Sequence, residues 1–280
     1  MDKILIVDGS NLLFQMFYGM PARILGPRGQ PIQGTLGFVG ALLKMIRMTK
    51  PTHVAVLFDG ECASGRGELD TDYKANRPDY SEMELEDTPF SQLPDIYAAL
   101  DYLEIAHRET TDCETDDWIA GYAMTLGREQ NMVICSFDSD FFQLITDRVT
   151  ILRYRGEKSV LCDRHYLQEK LGIEPEKYAA FKALTGDAAD NIPGIPRIGP
   201  KTAAALMNRF QNLEDLIGHT EEIEKSSVRE AIRQNIQRIR INDLLIRLQG
   251  GAELPFTKTE MVWMDKKIKT TDVLKAIGLR

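Results

Sequence analysis

The sequence predicts an α/β protein, a mostly parallel sheet flanked by helices, followed by a helical region. Three observations carry this. Short apolar runs alternate with helix-period segments through the first half of the chain. Three of those runs stop at aspartate, and the strand-like runs give way to helical patterning after about residue 165. A β-α-β rhythm implies parallel strands with helices on both faces, and ligands then sit beyond the carboxyl ends of the strands.

Taken in order, KILIVDG is a short apolar run closed by Asp-Gly and reads as a buried strand. LGFVGALLKMIRMTK spaces its apolar residues as a helix and ends before Pro51. HVAVLFDG is a second buried strand with the same ending. FSQLPDIYAALDYLE reads as a helix and EIAHRE as a short strand after it. DDWIAGYAMTLGREQ is a further helix, leading into the strand of NMVICSFDSD. From about Cys62 to Thr88 little pattern is visible, and a loop this long inside a compact domain is usually functional. Its first part is basic and aromatic (Arg66, Tyr73, Lys74, Arg77, Tyr80) and its second acidic (Glu82, Glu84, Glu86, Asp87). Later, the Gly/Pro-rich stretch NIPGIPRIGPKTAAAL interrupts two helices.

At 280 residues the chain can hold one large domain and a smaller one. Its 43% apolar and 27% charged residues are ordinary for a soluble globular protein. No apolar run approaches the roughly 20 residues of a membrane span, and MDKILIVDG lacks the basic start and cleavage site of a signal peptide. Cys62, Cys113, Cys135 and Cys162 stand far apart, as reduced thiols of a cytoplasmic protein do. The net charge of −8 argues against nucleic acid if taken alone. The location of the acids matters more than their sum, because two divalent ions would offset about four of those charges locally.

Three strand-like runs end in Asp8, Asp59 and the pair Asp138 and Asp140. On a parallel sheet these ends share one edge. Glu114, Asp116 and Asp117 open the next helix, with Glu114 and Asp117 on one face. TGDAADN adds Asp187 and Asp190. Each acid alone has a bland explanation: Asp8 as a turn residue or helix cap, the 114–117 group as partners of the helix dipole. Their recurrence is harder to explain by capping, since crowded carboxylates without a cation are costly. Carboxylates with few His or Cys suit Mg²⁺ or Mn²⁺ rather than zinc. A set this large suits two ions.

VDGSNLLF, FDG, YKANRP, ETDD, DSDFFQL, LTGDAADNIPG and IPRIGPKTAAAL follow one another in the order seen in the 5′ nuclease domain of bacterial DNA polymerase I and the phage 5′ nucleases. Over roughly residues 3 to 250 the chain resembles this 5′-3′ exonuclease and flap endonuclease family. The resemblance implies a PIN-like catalytic domain over 1–165 with a helical arch at about 62–95. It implies a helical domain over 166–280 with a helix–three-turn–helix, a widened helix–hairpin–helix, at about 186–206. It places Asp8, Asp59, Glu114, Asp116 and Asp117 around one metal, Asp138 between the sites, and Asp140, Asp187 and Asp190 at the second. Lys74 is implied near the scissile phosphate, and a potassium ion between hairpin and DNA. The implied substrate is branched, nicked or 5′-flap DNA, handled by a monomer that works beside a DNA polymerase.

The residues support the duplex grip independently. Gly194 and Gly199 are expected to let the backbone approach a phosphate, met by the N–H groups that open KTAAAL. Arg197 and Lys201 add charge and Thr202 a hydroxyl. Arg66, Lys74 and Arg77 are expected on phosphates of the single-stranded arm, with Tyr73 stacked on a base. The chain departs from the family in three side chains: Gln15 for the usual arginine, Gly65 for an aromatic residue, and Ser139 for a lysine. The acidic run Glu82 to Asp87 is also a few residues longer than usual.

Rival readings predict different residues. A DNA-binding paralogue with a decayed site would lack some of the acids. A PIN-type ribonuclease would lack the motif at 186–206. An aspartate-nucleophile phosphatase wants a second Asp at position 10, which is Ser10. A dinucleotide-binding dehydrogenase wants a G-x-G-x-x-G turn after the first strand, and none is there.

Overall fold

The computed structural model describes residues 2–20, 22–60, 66–80 and 82–280; Cys62 and Gly65 lie outside them. The first half runs β1 (Lys3–Asp8), α1 (Gly9–Gly19), α2 (Gln33–Thr49), β2 (His53–Phe58), α3 (Arg66–Leu69), α4 (Leu93–Tyr102), β3 (Ala106–Glu109), α5 (Thr115–Thr125) and β4 (Asn131–Cys135). Strands β5 (Val149–Arg153) and β6 (Val160–Cys162) complete the sheet. Helices α6 (Arg164–Leu171), α7 (Tyr178–Thr185), α8 (Pro200–Arg209), α9 (Leu213–Gly218), α10 (Ser226–Gln234), α11 (Ile236–Ile246) and α12 (Thr270–Ala276) follow.

The sheet order is β3-β2-β1-β4-β5-β6. All pairings are parallel except β5 with β6. The chain builds outward from β1 on one side and resumes on the other with β4, so the switch point lies between β1 and β4. That is where Asp8 and Asp138 emerge. The central strands are apolar at nearly every position because both faces are covered. Ile4, Ile6, Ala55, Leu57 and Ile134 face α5 and the helical region. Leu5, Val7, Val54, Val56 and Val133 face α1, α2 and α4. Helix α2 ends at Lys50, whose backbone turns left-handed just before Pro51.

The core on the α5 side continues without a break into α7, α8, α10 and α11. The tail returns to the opposite layer. Trp263 N donates to Thr52 O at 2.9 Å, its indole N–H donates to Leu103 O at 3.2 Å, and Val273 packs into the second core. The segment expected as a helical arch contains α3 and two short 3₁₀ turns, Leu85–Asp87 and Pro89–Gln92. Among the described residues no helix is long and apolar enough to cross a membrane. Cys135 and Cys162 are buried thiols.

Candidate active site

The strand ends converge as their topology requires. Asp8 closes β1 and caps α1, accepting from Asn11 N at 3.0 Å. Its second oxygen accepts from the Ser136 hydroxyl at 2.8 Å. The bland reading of Asp8 as a cap is therefore correct, and the same carboxylate is also buried within the acidic cluster. Burial, then neighbouring Asp59, pushes its carboxyl up to about 7. Asp59 follows β2 and accepts from Thr115 N at 3.1 Å, which joins it to the start of α5. Asp138 accepts from Asp140 N at 2.8 Å, and its own N–H meets the Ser136 oxygen at 3.0 Å. Burial raises Asp116, Asp138 and Asp140 above the usual carboxylate range. Asp138, Asp8 and Asp59 add to it at Asp116; Asp190 and Asp187 add to it at Asp138. One connected field of like charge therefore links Asp8, Asp59, Asp116, Asp138, Asp140, Asp187 and Asp190.

Glu114 and Asp117, three apart at the head of α5, face the same cation. The Arg66 guanidinium lies 2.5 Å from Glu114 and 2.7 Å from Asp117. Lys74 Nζ is 3.0 Å from Glu114, Arg77 pairs with Asp190 at 3.1 Å, and Lys182 pairs with Asp187. Within the described residues no three acids close on a single point; the cations take the pairing. Arg66, Lys74 and Arg77, expected on phosphates, here neutralise buried carboxylates, because a carboxylate held out of water needs a partner charge. The Tyr73 ring is partly buried against the core, with Lys74 Nζ 4.8 Å from its centroid. In this arrangement it is packed away and does not stand open for base stacking, since burying its aromatic area is favourable.

The segment 66–77 is pinned across this cluster. Lys74 N donates to Asp190 O at 3.0 Å. Asn76 donates to Ala188 O at 2.9 Å, Asn191 donates to Asp72 O at 2.8 Å, and Arg238 of α11 pairs with Asp70. Sequence reading missed Ser136, Lys182 and Arg238. A serine after a strand reads as a turn, and a helical Lys or Arg reads as a solvated face. Only Lys182, five residues before Asp187, had a local signal.

At the hairpin, α7 and α8 flank residues 186–199, and Asp187 pairs with Ile192 in a small bridge. Gly194 is held small by its own fold. A Cβ there would lie 2.3 Å from Thr185 O, so the constraint is internal packing against the end of α7. Gly199 caps α8, and a Cβ there meets nothing within 4 Å. Arg197 and Lys201 are exposed beside it and Thr202 is half-buried. The N–H groups of Lys201 and Thr202, in the first turn of α8, are among those that a helix leaves without an internal partner.

The family model described as 5′-3′ exonuclease, N-terminal resolvase-like domain, matches residues 3–172, and that described as 5′-3′ exonuclease, C-terminal SAM fold, matches 173–269. The thermostable DNA polymerase I of Thermus thermophilus is 34% identical over 253 residues, which cover 90% of this chain and 29% of the polymerase. The chain thus spans under a third of that relative. A 5′-3′ exonuclease of Buchnera aphidicola is 30% identical over 240 residues, covering 84% of this chain and 80% of its own. In fold, the chain is similar to a flap endonuclease of bacteriophage T5 solved with DNA and metal ions. That likeness has a TM-score of 0.71 at 21% identity and covers 98% of this chain and 99% of that one. With both family models matched in sequence, and acids gathered at the switch point of a parallel sheet, the chain belongs to the 5′-3′ exonuclease family of nucleases.

Proposed function

We propose that this chain is a divalent-metal-dependent 5′ nuclease that hydrolyses DNA phosphodiester bonds at 5′ flaps, nicks and free 5′ ends. The carrying observation is the field of carboxylates at the ends of β2, β1 and β4 and at the heads of α5 and the hairpin, of which Asp8, Glu114, Asp140, Asp187 and Asp190 are buried. The donor set is all oxygen, which suits Mg²⁺ or Mn²⁺. Asp140 Oδ1 is buried without a hydrogen-bond partner, and three neighbouring acids have raised proton affinity. A cation is the natural complement of such a site.

In this reading Asp8, Asp59, Glu114, Asp116 and Asp117 hold one ion. Asp138 is shared, and Asp140, Asp187 and Asp190 hold the second. Two such ions supply an activated water and charge stabilisation at the leaving oxygen. The chain's own residues do the rest. Lys74 aims a cation at the phosphate, and Arg66 and Arg77 trade carboxylate partners for phosphates of the 5′ strand. The α8 N-terminus, with Arg197, Gly199, Lys201 and Thr202, holds a duplex phosphate without reading sequence. A potassium ion at the hairpin belongs to the same reading. So does a chain divided at about residue 165, acting as a cytoplasmic monomer beside a DNA polymerase.

The test is cleavage of end-labelled flap, nicked and blunt duplexes with and without magnesium. Product that depends on magnesium and on the 5′ structure supports the reading; no metal-dependent product overturns it.

A further inference from the structure

Arg153 and Arg155 both stack on Phe137, with guanidinium carbons 5.3 and 4.9 Å from the ring centroid. Phe137 immediately precedes Asp138, and both of its backbone groups are held. Its N–H donates to Asn11 Oδ1 at 3.0 Å, and its carbonyl accepts from Arg153 Nη2 at 3.0 Å. Arg153 also lies 5.7 Å from the Phe142 centroid, and its buried Nε has no partner. Arg155 is exposed and sits on the β5–β6 turn. Ser159 closes that turn, accepting from Arg155 N at 2.9 Å and donating to Gly156 O at 2.6 Å.

Neither arginine pairs with a carboxylate among the described residues, whereas Arg66, Arg77, Arg164, Arg238 and Arg240 all do. Arg47, Arg128, Arg148 and Arg197 have no ion pair among the described residues either, so what sets these two apart is the ring they share. It lies on the edge of the sheet where the acids gather, because β5 runs parallel to β4. Held by its face, the exposed Arg155 guanidinium keeps its N–H edge for an anion, while Arg153, with Nη2 on Phe137 O and Nε buried, fixes the ring and adds its charge. Gln15 donates to Tyr154 O at 2.8 Å, between the two arginines.

We propose that Arg153 and Arg155, stacked on Phe137, form a clamp for the DNA phosphate backbone on the β4–β5 flank of the acidic cluster. The clamp rests on the nuclease reading above and deepens it, placing a strand of the substrate beside β5 as well as under the hairpin. Its ligand is a phosphodiester, held by charge and without base choice.

The test uses a fluorescein-labelled 5′-flap duplex, with binding followed by anisotropy in chelator across a salt series and cleavage followed in magnesium. Arg155→Ala should weaken binding by about three- to tenfold near 0.1 M salt. It should also lower the log–log salt slope by about one, the value of one phosphate contact. KM should rise in step while kcat stays within about twofold. Arg155→Lys should restore most of the slope. Phe137→Leu, which keeps both charges and loses the platform, should weaken binding in a protein whose melting temperature is checked alongside. If the wild type cleaves flap DNA and Arg155→Ala keeps its affinity, slope and KM, the clamp is wrong and the nuclease reading stands. If the wild type neither binds nor cleaves, the nuclease reading fails and the clamp with it.

Discussion

The Ser136 hydroxyl donates to Asp8 at 2.8 Å and meets the Asp138 N–H at 3.0 Å, so one serine ties the end of β1 to the turn after β4. It orients the Asp8 carboxylate and the backbone that carries Asp138, two members of the proposed metal site, without being one of them. Groups that orient ligands typically cost about 10- to 100-fold in metal affinity or activity when removed. Ser136→Ala should therefore raise the magnesium concentration needed for half-maximal cleavage by about that factor. It should also cost roughly 1 kcal/mol of stability, because a part-buried N–H loses its acceptor. A magnesium titration with an unshifted midpoint would remove Ser136 from the site.

Asp138→Asn and Asp59→Asn keep the acceptor oxygens that receive Asp140 N and Thr115 N. Both variants should fold. Both should lose cleavage while retaining flap binding in chelator, since removing a negative charge does not weaken attraction to phosphate. Wild-type turnover in either one would sink the two-metal reading.

Asp8 offers a pH test in metal-free protein. Its carboxyl rises from 3.8 to about 7 on folding, through burial first and Asp59 second. The folded state therefore binds this proton more tightly than the unfolded state does. The associated stability is complete below the unfolded value and is lost as pH rises through about 7, by a few kcal/mol at most. Asp8→Asn keeps the cap on α1 and lacks this penalty. In chelator the variant should melt increasingly above wild type between pH 5 and pH 8, at roughly 2–4 °C per kcal/mol for a chain of this size. Magnesium at pH 8 should narrow the gap by stabilising the wild type alone. A gap that does not change with pH would contradict this.

Asp8, Asp59 and Asp138 were legible because each ends a short apolar run, and a parallel sheet brings such ends together. The pairing of Glu114 with Asp117 was legible from helical spacing. The partners of these acids were not: Arg66, Lys74 and Arg77 sit in a stretch without periodicity, where composition shows charge but not what the charge faces. The β5–β6 hairpin was missed because VTILRYRGEKSVLC breaks its alternation with three cations. Trp263 returns to Thr52 and Leu103 across more than a hundred residues, a pairing that no local pattern encodes. At Gly194 the close neighbour in the fold is Thr185 O, as invisible in sequence as a phosphate.

The duplex grip can be probed cleanly because Gly199 has open space around it. Gly199→Val should fold normally, put two methyl groups where a phosphate would approach, and weaken duplex binding severalfold with little change in metal affinity. Arg197→Gln and Lys201→Gln should each lower the salt slope by about one unit. Unchanged slopes in both would mean that duplex is held elsewhere.

Lys74 tests whether the segment 66–77 acts in chemistry. Its Nζ lies 3.0 Å from Glu114 and its backbone N–H is held by Asp190 O at 3.0 Å, so the side chain is anchored within the cluster. Its backbone is left-handed, with φ of 58°, an uncommon conformation for lysine that the Asp190 contact helps to hold. A cation fixed there interacts most strongly with a phosphate whose charge is growing, which favours the transition state over the bound substrate. Lys74→Ala should therefore lower kcat by about a hundredfold or more, with a smaller change in flap binding. The acidic run should act in the opposite sense. Asp87 and Glu86 lie 3.5 and 4.0 Å from Arg23, while Glu82 and Glu84 are exposed. Replacing Glu82 and Glu84 by Gln should tighten binding of the single-stranded arm at low salt and change little at high salt, where exposed charges are screened. Single-turnover cleavage of a 5′-flap across a salt series reads both effects. Wild-type rates in Lys74→Ala would remove this segment from the reaction, whatever the metal site proves to be.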